Sequence, residues 1–134
     1  MSSFAFYLDA PLTQMVTGNI EVPEGTNDMR FYLGSTNASV KLQNATTPGV
    51  DPIVIVVEDT NPGSNAEASW IKLAFTQAGL TGAAAGASLS VGTTIYGGVS
   101  SAVPIWVRIA NSLSGAVSST DLSLHILDVK EFAA

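Results

Sequence analysis

Asp121-Leu122-Ser123-Leu124-His125 brings three chemically capable side chains to alternating positions, and its histidine is the only one in the chain. In an extended strand that spacing turns Asp121, Ser123 and His125 to one face. A hydrolytic triad needs a serine activated by a histidine that a carboxylate orients, and geometry decides it rather than chain order. Here the serine lies two residues from the histidine on a regular strand, and no G-x-S-x-G elbow occurs anywhere. The stretch reads as a polar outer stripe on an edge strand. No catalytic residue is assigned and no enzymatic activity is expected.

A second pattern is Asp59-x-Asn61-x-Gly63-x-Asn65-x-Glu67, with Glu58 and Asp51 as further carboxylates. Calcium takes about six to eight oxygens from such loops. Pro62 does not suit an EF-hand loop, and Gly63 misses the position the sharp turn requires, so the expectation is a solvated turn without structural metal. Gly79, Gly82 and Gly86 are spaced like a phosphate cradle, but no Lys-Ser/Thr pair follows and no helix starts there. Asn37-Ala38-Ser39 and Asn44-Ala45-Thr46 match the glycosylation sequon and read as coincidences of a chain rich in Asn, Ser and Thr. The carboxylates form no recognisable acid–base pair, and no cofactor is expected.

The elements that would position these groups are strands. Val103-Pro104-Ile105-Trp106-Val107-Arg108-Ile109 is the strongest: Ile105, Val107 and Ile109 share one face, Trp106 and Arg108 the other, and Pro104 marks the start. Phe4, Phe6 and Leu8 alternate with Ala5 and Tyr7, and Met29, Phe31 and Leu33 with Arg30 and Tyr32. Ile71, Leu73 and Phe75 alternate with Trp70, Lys72 and Ala74, repeating a tryptophan and a cation on the reverse face, so the two outer faces are candidates to stack. Asn19–Val22, Ser39–Leu42, Leu89–Val91 and Thr93–Tyr96 are shorter strand candidates. The run Ile53–Val57 is all β-branched and suits a strand covered on both faces. Gly79–Gly86 reads as a flexible connector, since each glycine costs a helix about 1 kcal/mol against alanine. In the last stretch Leu122, Leu124 and Ile126 share a phase that Leu127 and Val129 abandon, which predicts a bulge there or burial on both sides. No long segment has helical period. The pattern predicts an all-β fold: a single-domain antiparallel β-sandwich of eight or nine short strands, or a closely related barrel. Residues 27–134 are read as the sandwich, and 1–26 as an N-terminal arm or extra hairpin able to contact an oligomeric neighbour.

Composition excludes several functions. The 134 residues suit one domain. Charged residues make up 12% and apolar residues 46%, which leaves few charges to keep an isolated surface soluble and predicts coverage by other subunits. Five Lys and Arg against a net charge of −6 argue against nucleic acid as a partner. The absence of cysteine removes disulfides and thiolate metal sites. No apolar run approaches the ~18 residues of a membrane span, and Met1–Asp9 lacks the basic start of a secretory leader, so a cytoplasmic origin and no membrane partner are expected.

Ser69–Leu73 (SWIKL), Leu89–Gly92 (LSVG), Gly97-Gly98, Ala102–Ile109 (AVPIWVRI) and Thr120–Ile126 (TDLSLHI) together resemble small structural proteins of tailed-bacteriophage particles. The likeness covers residues 53–131, and lies in style and strand order more than in one motif. It implies an Ig-like or jelly-roll-like sandwich present in many copies on a virion assembled in the host cytoplasm. Such a protein would be a capsid decoration (cement) subunit or a tail or baseplate subunit, self-associating and bound to major capsid or tail subunits. Phe4, Phe6, Leu8, Trp70 and Trp106 are the candidate partner contacts. The alternative is a carbohydrate-binding β-sandwich module stacking sugars on Trp70, Trp106 and Tyr96.

Overall fold

Among the described residues ten strands form in chain order: β1 (Ala5–Tyr7), β2 (Thr26–Gly34), β3 (Val40–Asn44), β4 (Val54–Asp59), β5 (Ile71–Ala74), β6 (Leu89–Ser90), β7 (Thr94–Tyr96), β8 (Val103–Ala110), β9 (Leu122–Ile126) and β10 (Val129–Ala133). The structure, a computed structural model, describes residues 3–16, 25–59, 67–111 and 122–134, with backbone alone at 122 and 123. The strands make three antiparallel sheets ordered β1-β2-β8-β5, β10-β3-β7 and β6-β4-β9. The fold is an all-β sandwich-like domain, as the alternation predicts.

The core is built on β8. Ile105, Val107 and Ile109 are wholly buried and stand opposite Phe31, Met29 and Asn27 of β2. On its other side β8 pairs with β5, which sets Leu73 beside Val107 and Ile71 beside Ile109. Phe31, Ile71, Leu73, Ile105, Val107 and Ile109 join Leu33, Leu42, Ile53, Ile55 and Ile95 in one cluster drawn from all three sheets. Removing each such aliphatic side chain from water stabilises the fold by roughly 1.5–3 kcal/mol, which the fixed backbone entropy offsets.

Several expectations change. β5 and β8 do not stack their outer faces; they are hydrogen-bonded neighbours in one sheet, with Lys72 opposite Arg108. The Ile53–Val57 run is covered on one face: Ile53 and Ile55 are fully buried, whereas Val54 and Val56 stay half-exposed because no layer packs outside β4 among the described residues. The Gly79–Gly86 connector contains a 3-10 turn at Ala78–Gly82, pinned by the fully buried Leu80. The described residues hold ten strands, against the eight or nine expected, because short pieces serve different sheets, β6 pairing with β4 and β7 with β3. The phase break at the C-terminal end is a change of sheet rather than a bulge. β9 pairs with β4, Asp128 turns the chain at φ 47°, and β10 continues beside β3. Corners of this kind let one chain segment line two sheets.

Of residues 1–26, those described belong to the sandwich. β1 pairs with β2, Val16 N–H donates to the Phe6 carbonyl at 2.8 Å, and Phe4 and Leu12 are buried. The candidate strand Asn19–Val22 and most of the connection Asn111–Thr120 lie outside the described residues.

Candidate interaction face

The outward face of the four-stranded sheet gathers the chain's most unusual side chains. Alternation sends Met29, Phe31 and Leu33 inward, so Asp28, Arg30 and Tyr32 of β2 face out; on β8, Trp106 and Arg108 do the same. The antiparallel register then sets Asp28 opposite Arg108, Arg30 opposite Trp106, and Tyr32 opposite Pro104 on one side and Tyr7 on the other. Lys72 of β5 lies beyond Arg108 and Ala74 beyond Trp106.

Two groups of contacts stiffen this face. The Arg30 guanidinium lies 5.2 Å from the ring centroids of both Tyr32 and Trp106. Each such cation–π contact contributes about 0.5–1 kcal/mol at an exposed position. Arg108 grips Asp28 with two bonds, Nε to Oδ1 at 2.7 Å and a terminal nitrogen to Oδ2 at 3.1 Å, and Gln77 Nε2 donates to Oδ2 at 3.1 Å. The Arg108 bond, then the Gln77 bond, holds the Asp28 carboxyl below the ordinary carboxylate range; the same pairing raises Arg108. The result is a largely pre-ordered surface of guanidinium groups and aromatic rings.

Of the residues expected to contact a partner or stack sugars, Trp106 alone sits on this face. Phe4 is buried in the chain's own core and Phe6 packs against it, so neither presents its ring outward; Leu8 is exposed at 53%. Trp70 lies in a 3-10 turn (Ala68–Trp70) and packs against the core, because the chain leaves strand geometry one residue before β5. Tyr96 is exposed on β7, in a different sheet. The three aromatic residues expected to stack sugars therefore form no common platform.

His125 stands exposed on β9, an edge strand among the described residues, with Nε2 3.0 Å from Glu58 Oε2 on β4. Glu58 stands opposite Ser123 in the ladder, while Asp121 lies outside the described residues. This is the geometry of an outer polar stripe. Residues 60–66 of the oxygen-rich loop also lie outside, and among the described residues no group of three or more His, Asp or Glu is placed to hold a metal. Both sequon asparagines serve turns: Asn37 Oδ1 accepts from Ser39 N–H, and Asn44 Oδ1 from the N–H groups of Thr46 and Thr47, each at 2.9 Å.

Sequence reasoning missed Asp28, Arg30, Tyr32 and Gln77 as members of a site. The alternation already turned Arg30 and Tyr32 outward, but nothing local showed that β2 would lie against β8. No family model, no curated protein and no solved structure matches this chain.

Proposed function

We infer that the chain is a non-enzymatic structural subunit of a tailed-phage particle, a capsid decoration protein that binds coat subunits. The observation that carries this reading is the Arg30–Trp106–Tyr32 face with the Asp28–Arg108 pair beside it. Tryptophan, tyrosine and arginine are the residues that dominate protein–protein contacts, and a rigid sheet presents them at little entropic cost. A chain with only 12% charged residues and the likeness of residues 53–131 to small virion proteins support the same reading. The test is mass spectrometry and imaging of purified particles from cells making this chain. Stoichiometric copies on the head are expected; copies confined to the tail would move the role to a tail or baseplate subunit, and absence from particles would overturn it.

A further inference from the structure

Charge is distributed very unevenly over this molecule. Arg30, Lys72 and Arg108 on the outer face of the four-stranded sheet are three of the chain's five cations, and Asp28 is the one carboxylate in that sheet's four strands. The rest of the chain keeps two cations and ten carboxylates. Arg108 is already matched by Asp28, but neither Arg30 nor Lys72 has an ion pair among the described residues. Arg30 is instead held in place by two aromatic rings, which fix its position without neutralising it.

The sheet β6-β4-β9 has the opposite character. Its strands contain no Lys or Arg, Glu58 is exposed on β4, and exposed Asp51 and Asp128 flank β4 and β9. Asp128 is positioned by Thr46 Oγ1 at 2.7 Å, and Asp51 by the Thr47 hydroxyl. The cations of the four-stranded sheet and these three carboxylates thus lie on different elements of one small domain: Glu58 is on β4 beside His125, and Asp51 and Asp128 are in the turns before β4 and after β9.

We propose that the Arg30–Lys72–Trp106 face docks on the acidic β4 sheet of a second copy of this chain, at Asp51, Glu58 and Asp128. This deepens the reading of the chain as an assembly subunit by naming a direct contact between copies. Because the two surfaces differ, the contact is head-to-tail, and its repetition closes into a ring or extends into a row. Opposite potentials set the register and speed the encounter, while Trp106 and Tyr32 supply the desolvated centre.

Sedimentation velocity of the purified full chain tests it. Self-association is expected, weakening about tenfold between roughly 50 mM and 500 mM NaCl as screening shortens the reach of the charges. Arg30→Glu should weaken it by about tenfold or more, and so should the triple variant Asp51→Asn/Glu58→Gln/Asp128→Asn, since like or missing charges oppose docking. All four positions are exposed, and unchanged melting curves check the folds; Lys72→Glu replaces Arg30→Glu if the latter fails to fold. An equimolar mixture of the two defective proteins should then form a dimer that grows no further, because each retains the half the other lost. A monomeric wild type, association insensitive to both variants, or a mixture that stays monomeric overturns the proposal. Copies on particles without self-association would leave the virion role standing and remove this contact; self-association with absence from particles would do the reverse.

Discussion

Asp28 accepts two hydrogen bonds from the Arg108 guanidinium and one from Gln77, and this makes it a stability element as well as part of the face. Its folded carboxyl titrates below the ordinary range, first through Arg108 and then through Gln77. Glu131 is lowered by its bonds from Ser3, and Asp9 by its bond from Thr13. A carboxyl lowered on folding stabilises the native state fully above its unfolded value of about 4, and loses that contribution as the pH falls through the lower folded value. The urea midpoint should therefore drop as the pH is taken below about 4. Asp28→Asn should lower the midpoint at neutral pH, with the gap to wild type closing in acid. Urea titrations at a series of pH values check this; a gap that persists undiminished in acid would assign the loss to packing rather than charge.

At the scale of the element, β8 and the Asp128 corner make different demands. Val107 is fully buried and touches neighbours on both flanking strands, so Val107→Ala should cost about 1–3 kcal/mol through lost burial and the remaining cavity. A loss under about 0.5 kcal/mol, the scale of a surface change, would contradict that placement. Asp128 has φ 47°, where a side chain crowds the following carbonyl unless it is short and polar. Asp128→Val should cost about 1–2 kcal/mol more than Asp128→Gly, both variants having lost the Thr46 bond equally. Chemical denaturation of the pair measures the backbone contribution alone.

For the whole molecule, the N-terminal segment is part of what holds the sandwich together. Phe4 is buried, Phe6 packs on the core, and Tyr7 pairs with Tyr32 on the interaction face. Deleting residues 1–10 should thus lower the melting temperature by many degrees or leave the chain unfolded, read by circular dichroism. An arm serving only a neighbouring subunit would leave the melting curve unchanged. The same cooperativity ties the face to the core, since β2 and β8 carry Phe31 and Ile105 inward and Arg30 and Trp106 outward from the same backbones.

Alternation along the chain was enough to read the class of fold, the inward residues of β2 and β8, and Ile71 and Leu73 of β5, whereas Phe75, expected to point inward with them, lies exposed just past the strand. Period two states which side of a strand a residue faces, and burial of apolar area enforces it locally. It does not state which strand lies alongside. Among the described residues β1 and β2 are the only consecutive strands that pair; β2 finds β8, and β4 finds β9, across most of the chain. Backbone hydrogen bonds are alike for every strand, so partner choice comes from burying all the inward faces together, a property of the assembled core. That choice alone put Arg30 against Trp106 and Asp28 against Arg108. It also buried Phe4, laid Trp70 partly against the core, and turned a phase break at Leu127 into a passage from one sheet to another.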